Sequence, residues 1–409
     1  MKRATVLEML VLNTYWVGLS FMWNSLHPIV LPAVLLNFVP ETQKNTYLGL
    51  LTFVGLVIAM IIQPLSGALS DTWSSRWGRR RPFILLGTLF DFVFLALLAW
   101  SGGLLWLAIG YICLQFSSNI AHGPMQALLP DRVPREQIGA ASGIKNLMDM
   151  GGLVVASLLA GRLLDPQTRD PLLIMVIVIG VLAVSALITL LGTPEAPAQQ
   201  KDTSASQKPL ADLFKIDFKA NSAFWWLIGS RFAFLIGIYG IQTFTQYYLR
   251  DVLQVPNPIQ QTGDLLAVIT LTLIVLAVAG GWLCDRLGPR RILVISGLLG
   301  AAGCLLLLLA RSSTTLILFG SVLGAGIGLF LTANWTLATR LAPPGEEGKF
   351  LGLTNLATAG AGALGRLEGP MIDLLNNSFP GTHLGYTALF VFGALGTLVS
   401  ILLLMKVKE

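Results

Sequence analysis

The chain has 409 residues, of which 54% are hydrophobic and only 12% are charged, and its formal net charge is +6. Soluble domains carry about 25% charged residues, so the composition excludes a protein whose whole surface faces water. The cations lie in short gaps between apolar segments, which argues against a nucleic-acid partner. The three cysteines lie inside apolar runs and indicate packing residues rather than disulfides or a metal site.

Twelve apolar runs are long enough to cross a lipid bilayer, since a spanning helix needs about 20 residues. The sequence therefore predicts an all-α membrane protein. We number the runs spans 1 to 12, and they cover residues 9–37, 46–70, 83–101, 104–129, 139–163, 171–192, 222–249, 263–284, 290–310, 313–340, 349–375 and 384–405.

The longest gap, 193–221, stays polar, and its composition predicts a flexible linker with a short amphipathic helix near Leu210–Phe218. We expect this linker to be cytoplasmic and to join an N-terminal six-helix bundle, 1–192, to a C-terminal six-helix bundle, 222–409.

The distribution of Lys and Arg predicts the orientation. Of 27 such residues, 19 lie in segments on the side of the N-terminus, 5 lie on the opposite side and 3 lie within spans. Cytoplasmic loops carry the excess of positive charge, so we expect both termini in the cytoplasm and the chain in the inner membrane.

A charged motif follows span 2 and recurs after span 8. The first copy runs from Gly67 through Asp71 to Ser75-Arg76-Trp77-Gly78-Arg79-Arg80-Arg81-Pro82-Phe83, and the second is Gly281-Trp282-Leu283-Cys284-Asp285-Arg286-Leu287-Gly288-Pro289-Arg290-Arg291. A further echo pairs Gly143-Ile144-Lys145-Asn146-Leu147 with Gly352-Leu353-Thr354-Asn355-Leu356. This duplication predicts two pseudo-symmetric halves, an architecture that transporters use.

The repeated motif resembles the signature loop of the major facilitator superfamily. The first copy, together with the end of span 4 from Asn119 through Gly123-Pro124 to Asp131, is similar to the sucrose transporters and their glycoside–pentoside–hexuronide relatives. The second copy has the short, general form. The resemblance implies a secondary transporter that works by alternating access, with a small-molecule solute and protons as partners. We also expect no cofactor and a monomer in the lipid bilayer.

The resemblance also implies that the motif carboxylates touch the other half of the protein. Asp71 ends its own helix, where the helix dipole opposes a negative charge, so it needs a loop arginine or another helix start as its partner. Our hypothesis is a pair of latches that close the cytoplasmic side, although the arginines alone could serve only to set topology. The latch residues are Gly67, Asp71, Arg76, Gly78, Arg79, Arg80, Gly281, Asp285, Arg286, Gly288 and Arg290.

In this superfamily spans 1, 4, 7 and 10 line the central cavity. Each carries polar or aromatic side chains at helical spacing, and amides with aromatic faces suit the hydroxyls and C–H faces of a sugar. The alternative is interhelical hydrogen bonding. The predicted substrate-binding residues are Asn24, His27, Gln115, Asn119, His122, Gln126, Arg231, Tyr239, Gln242, Gln246 and Trp335.

Ionisable groups inside spans are costly and therefore indicate function. Asp149 and Glu368 are the first candidates to carry a coupling proton, and Asp91 is the third. Lys145 lies four residues before Asp149, close enough to pair with it on a helix, and this pair could instead be structural.

Other kinds of chemistry lack a motif. The sequence has no phosphate-binding Gly-x-x-x-x-Gly-Lys loop, no metal-ligand spacing and no nucleophile with a base, so we expect neither an enzyme nor a metal or cofactor. The resemblance implies proton-coupled symport of a sugar, glycoside or similar polyhydroxylated solute. Two alternatives stay open: a proton-driven exporter of amphiphilic compounds, and a non-transporting membrane sensor or assembly factor.

Overall fold

The structure is a computed structural model that describes residues 3–193, 195, 221–343 and 347–407. Helices and their connections make up these residues, and no strand occurs among them. Most of the predicted linker, including the amphipathic helix expected near 210–218, lies outside the described residues.

The helices confirm the all-α, twelve-helix prediction, and eleven segments are long and apolar enough to cross a membrane. Span 1 consists of α1 and α2 with a π-helical segment, Leu26–Val30, between them, and span 11 consists of α12 and α13. The bounds are α1 Val6–Ser25, α2 Leu31–Leu35, α3 Lys44–Thr72, α4 Arg81–Ala99, α5 Leu104–Arg132, α6 Ile138–Leu163, α7 Leu172–Gly192, α8 Ser222–Asp251, α9 Pro258–Leu287, α10 Pro289–Leu308, α11 Ser313–Leu341, α12 Glu347–Gly365, α13 Glu368–Ser378 and α14 Leu384–Leu404.

Span 11 differs from its prediction as one helix over 349–375. α12 ends at Gly365 and α13 begins at Glu368, with Arg366 and Leu367 between them. At the break the chain packs directly on α8, because a Cβ on Gly365 would lie only 2.6 Å from the carbonyl oxygen of Ile236. The glycine allows a backbone approach that a longer side chain would prevent.

The chain divides into two compact units. Unit 1 contains Met1–Glu41, Leu51–Lys201 and Asn257–Ala267, and unit 2 contains Thr42–Leu50, Asp202–Pro256 and Val268–Glu409. Helix α3 therefore begins in unit 2 and continues in unit 1, whereas α9 begins in unit 1 and continues in unit 2. These two helices are spans 2 and 8, which carry the two copies of the repeated motif.

Each unit has its own packed core. In unit 1, α1 packs on α6 and α7, and α4 packs on α5. In unit 2, α8 packs on α12 and α14, and α10 packs on α11 and α14. The rings of Phe234 and Phe330 stack in unit 2 with their centroids 3.7 Å apart. Such close helix packing through apolar and small side chains is typical of membrane bundles.

The turn before α7 is fixed by an exposed carboxylate. Asp165 accepts hydrogen bonds from the backbone N–H groups of Gln167, at 2.7 Å, and Thr168, at 2.9 Å. These bonds favour the ionised form and lower the pKa of Asp165.

Candidate functional site

The first copy of the motif forms a loop between α3 and α4 that is built around Arg80. This side chain is only 3% exposed. It pairs with Asp71 at the end of α3 and, at 3.0 Å, with Asp131 at the end of α5. It also donates to the carbonyl of Gly67 at 3.2 Å and to the hydroxyl of Ser70 at 2.5 Å. One guanidinium, whose planar fork suits carboxylates, thus joins the ends of two helices.

The turn of this loop depends on Gly78. Its φ of +94° is unfavourable for other residues, and a Cβ there would lie 2.0 Å from Oε2 of Glu195. The same oxygen accepts a hydrogen bond from the backbone N–H of Arg80 at 2.9 Å. Glu195 thereby caps α4, which has no side-chain cap from its own N-cap residue. Arg79 pairs with Asp131 at 2.9 Å, and Arg76 lies over the ring of Trp77.

The second copy repeats the backbone of the first but not its ion pairs. Gly288 also has a positive φ, +83°, and precedes α10 as Gly78 precedes α4. Arg286 lies over the ring of Trp282 at 4.0 Å, and Arg290 donates to the carbonyl of Met405 at 3.1 Å. Asp285 is exposed and forms no ion pair within the described residues.

The two helix-end glycines of the motif differ in their surroundings. A Cβ on Gly67 would approach Gly123 of α5 at 3.8 Å, whereas a Cβ on Gly281 would meet nothing within 4 Å. In unit 1 the first glycine therefore faces α5. Contact between the motif carboxylates and the opposite half stays a prediction.

Polar and aromatic side chains of α1 and α5 come together in unit 1. We call this set the aromatic–amide cluster, and it consists of Trp23, His27, Tyr111, Gln115 and Asn119. Nε2 of His27 lies 2.9 Å from the Tyr111 hydroxyl, and the Gln115 amide donates to that hydroxyl at 2.7 Å. The rings of Trp23 and His27 stack 4.8 Å apart. His27 lies in the π-helical segment, an irregularity that frequently occurs at functional sites.

The members of this cluster differ in exposure. Gln115 is 2% and Asn119 is 4% exposed, and the Asn119 amide donates to the Gln115 backbone carbonyl at 2.7 Å. Trp23 and His27 are partly exposed. The buried amides therefore hold the partly exposed rings in place.

The rest of the predicted stripe on α5 lies beside Trp16, a tryptophan of α1 that also contacts a cation. Nε2 of His122 lies 3.3 Å from the amide of Gln126. The His122 ring also meets Trp16 edge-on at 5.1 Å, and the ammonium of Lys145 lies 3.9 Å above that tryptophan. A cation over a tryptophan face is electrostatically favourable.

The other predicted substrate-binding and proton-coupling residues of unit 1 differ in their hydrogen-bond partners. Lys145 and Asp149 form no ion pair within the described residues, although their spacing allowed one. Ser20 donates to the backbone carbonyl of Asp149, and Asn24 donates to the backbone carbonyl of Ser20. Asp91 is fully buried, and its Oδ1 accepts from the Ser117 hydroxyl at 2.5 Å.

In unit 2, Arg231 holds two neighbouring helices. It donates to Oδ1 of Asn334 on α11 and to the Thr358 hydroxyl on α12, both at 2.8 Å. Gln246 is buried on the same helix as Arg231, whereas Trp335 is 44% exposed. Tyr239 and Gln242 are partly exposed, and we find no side-chain hydrogen bond from Gln242 to the described residues.

Glu368 lies at the break in span 11, as the first residue of α13. It is 8% exposed, and neither carboxyl oxygen has a hydrogen-bond partner among the described residues. The carboxyl group rests on the backbone of α8, since a Cβ on Gly240 would lie 2.0 Å from Oε2. A buried ionisable group without a partner is uncommon in membrane proteins and indicates function.

A further network holds the first turn of α3 in unit 2. We call it the Lys44 cluster, and it consists of Lys44, Asn45, Asp251, Asp373 and Tyr386. Lys44 lies 2.6 Å from Asp251, which also accepts from the Tyr386 hydroxyl at 2.6 Å. Asp373 accepts from the Asn45 amide at 2.8 Å and from the backbone N–H of Thr46 at 2.6 Å.

Sequence reasoning missed several residues at these sites. Tyr111 extends the stripe on α5 by one turn before Gln115, so helical spacing alone was a sufficient signal for it. Trp23, Asn334 and Thr358 carried no such signal, because their roles depend on which faces of separate helices meet. Glu195 follows the last helix of the N-terminal half, and no local pattern links it to Gly78.

Comparison with known proteins shows which family has this architecture. A sequence profile of the Major Facilitator Superfamily matches residues 4–366 and 257–409. The class H tetracycline resistance protein of Pasteurella multocida is 25% identical over 285 residues, covering 68% of this chain and 67% of that protein. A sucrose transport protein of Oryza sativa subsp. japonica is 31% identical over 123 residues, covering 24% of this chain and 23% of that protein.

Proton-associated sugar transporter A of Rattus norvegicus is 26% identical over 219 residues, covering 47% of this chain and 28% of that protein. This chain therefore spans less than a third of the length of either sugar transporter. A D-xylose–proton symporter structure aligns with a TM-score of 0.75 and 16% identity over 99% of this chain and 98% of that chain.

A nucleoside transporter structure aligns with a TM-score of 0.72 and 13% identity over 98% of this chain and 99% of that chain. At these identities the likeness shows the fold. Together with the long apolar helices, the family profile identifies an integral membrane transporter rather than an enzyme. The chain belongs to the major facilitator superfamily.

Proposed function

We propose that this transporter is a proton-coupled symporter of a sugar, glycoside or similar polyhydroxylated solute, working by alternating access. The observation that carries the proposal is the aromatic–amide cluster of unit 1. Its stacked Trp23 and His27 rings are partly exposed and are held by Tyr111 and Gln115.

The chemistry of the cluster suits a sugar. A pyranose offers a C–H face, which packs on an aromatic ring, and hydroxyls, which need donors and acceptors together. Asn24 and His27 supply such groups beside Trp23, and all three side chains are partly exposed. Gln115 and Asn119 have a supporting role, since both are buried and hydrogen-bonded within the cluster.

The names of relatives support the same solute class. A sucrose transport protein and a proton-associated sugar transporter match parts of this chain, and the fold aligns with that of a D-xylose–proton symporter. Asp149, Glu368 and Asp91 are the proposed proton carriers, and Lys145, one helical turn from Asp149, belongs to the same proposed proton-coupling set.

Ligand-induced thermal stabilisation of the purified chain across mono- and disaccharides tests the proposal. A sugar present at 100 times its dissociation constant stabilises the folded state by about 2.7 kcal/mol. We expect one sugar class to raise the melting temperature of the wild type, and Trp23→Leu to abolish that rise. Stabilisation that persists unchanged in Trp23→Leu would place the sugar elsewhere.

A second candidate function is proton-driven export of an amphiphilic compound. The specific observation in its favour is the match to the class H tetracycline resistance protein over 68% of this chain. Expression in a drug-sensitised strain separates the two functions: protection against efflux substrates with no sugar response supports export.

We also propose the sidedness and the latch. The charge distribution supports cytoplasmic termini, and we further propose an inner-membrane location and a monomer. Arg80 holds Asp71 in unit 1, and we propose that Asp71 additionally meets the start of span 11 when the cytoplasmic side is closed. Asp71→Asn is then expected to change the accessibility of cysteines placed on either side, and unchanged accessibility with normal transport would exclude the latch.

A further inference from the structure

The break in span 11 brings together three features that distinguish Glu368 from the other proposed proton carriers. α13 starts at Glu368, and its N-cap residue, Leu367, provides no side-chain cap. The Glu368 carboxyl is 8% exposed and has no hydrogen-bond partner among the described residues. Three glycines shape its surroundings: Gly240 on α8, Gly365 at the end of α12 and Gly369 beside Glu368.

The glycines create a seat for the carboxyl group. A Cβ on Gly240 would lie 2.0 Å from one carboxyl oxygen and 2.8 Å from the other, so the group occupies the space of a missing side chain. A Cβ on Gly369 would lie 2.2 Å from the Asn45 carbonyl. The packing at Gly240 and Gly369 therefore has no room for a side chain, and the Glu368 carboxyl group fills the space beside Gly240.

Two opposing influences act on this group. Burial without a partner disfavours a carboxylate ion, whereas the N-terminus of α13 favours a negative charge. A modest local opening of the seat would shift the balance from the neutral to the charged form. Half-helix ends at a break are where transporters place coupling-ion sites.

We propose that Glu368, seated on Gly240 at the break between α12 and α13, takes up and releases the coupling proton. The proposal rests on the proposed symport function. The elements around the seat carry other ionisable groups. These include Arg366 at the break, Tyr239 on α8, Tyr386 on α14, Cys304 on α10 and Lys44 on α3, which is already paired with Asp251.

Glu368 differs from the other two carboxyl candidates. Asp91 accepts a hydrogen bond from Ser117, so one of its oxygens is already engaged. Asp149 is only partly buried and shares its helix face with Lys145. Within the described residues Glu368 combines deep burial with two unpartnered oxygens.

The first test needs no substrate. Infrared spectra of the purified full chain report the carbonyl stretch of protonated carboxyl groups. We expect part of this band to be lost in Glu368→Gln and retained in Glu136→Gln, which changes an exposed glutamate in the same way. Identical spectra for the wild type and Glu368→Gln would overturn the assignment whether or not sugar is the solute.

The second test uses liposomes with a trapped pH dye and sucrose as the probe. We expect sucrose to move protons in the wild type, and Glu368→Gln to lose proton movement while retaining sucrose exchange. Coupled movement that survives in Glu368→Gln, or accumulation driven by sodium instead, would overturn the proposal. If sucrose moves no protons in the wild type, the symport proposal fails for this sugar, and the infrared result still decides the state of Glu368.

Gly240→Ala provides a variant that keeps the acid. Its Cβ displaces the carboxyl group, so we expect the same loss of coupling. Gly229→Ala on the same helix is the control, since its Cβ would meet only Leu403, at 3.6 Å. Equal coupling in both alanine variants would contradict the seat.

Discussion

The ammonium nitrogen of Lys44 lies 2.6 Å from Oδ2 of Asp251, and the two side chains are only 8% and 17% exposed. Lys44 begins α3, a helix that continues into unit 1, whereas this ion pair lies in unit 2. The Lys44 cluster therefore holds the first turn of α3 within unit 2.

Lys44→Met is expected to destabilise the fold by about 3 kcal/mol, because it leaves Asp251 buried without its cation. The double variant Lys44→Met/Asp251→Asn is expected to recover part of that loss, since it removes both charges. Unfolding of the purified protein in denaturant measures each value. If the loss in the double variant equals the sum of the losses in Lys44→Met and Asp251→Asn, the pair contributes no coupling energy.

Arg80 and Arg290 occupy similar places in the two motif copies but differ in burial and in partners. Arg80→Ala removes a buried side chain that bonds to two carboxylates, to the Gly67 carbonyl and to the Ser70 hydroxyl, and is expected to cost about 1.5–3 kcal/mol. Arg290→Ala removes one exposed hydrogen bond and is expected to stay within about 0.5 kcal/mol. Melting temperatures of the two variants make the comparison, and equal shifts would argue against Arg80 as the centre of the loop.

The motif glycines provide a test of the duplicated backbone. Gly288→Ala is expected to cost about 1–2 kcal/mol because its φ is positive. Gly78→Ala is expected to cost more, since the new Cβ also meets Glu195. Gly281→Ala, inside α9 with open space around it, is expected to be neutral or stabilising by about 0.5–1 kcal/mol. Thermal unfolding ranks the three, and a destabilised Gly281→Ala would reverse the predicted order.

Tyr111→Phe tests the aromatic–amide cluster. The substitution removes the hydroxyl that both His27 and Gln115 contact. We expect sugar affinity to fall about tenfold, which corresponds to about 1.4 kcal/mol. Tyr248→Phe, which removes a buried hydroxyl bonded to the Leu307 carbonyl in unit 2, is the matched control. Equal losses in both variants would mean that the effect is not specific to the cluster.

The sequence was sufficient for the architecture. Apolar runs of spanning length predicted the helices, and the repeated glycine and charge pattern identified the family, because membrane thickness and loop charge act on local sequence. The left-handed turns at Gly78 and Gly288 follow from the same repeat.

The sequence was less informative about partners. The spacing of Lys145 and Asp149 allowed an ion pair, but the lysine lies over Trp16, on a different helix. The break before Glu368 also escaped prediction, because glycines such as Gly365 are common in membrane helices that pack closely. The periodicity of a sequence shows which residues share a helix face, but it does not determine which faces of separate helices pack together.

Proton-driven accumulation is the most direct test of the central claim. The purified chain is reconstituted in liposomes, an acid-outside pH gradient is imposed, and uptake of the sugar that stabilises the protein is followed against its own gradient. We expect accumulation that collapses when an ionophore dissipates the pH gradient. Uptake that only equilibrates the sugar, with or without the gradient, would contradict proton-coupled symport.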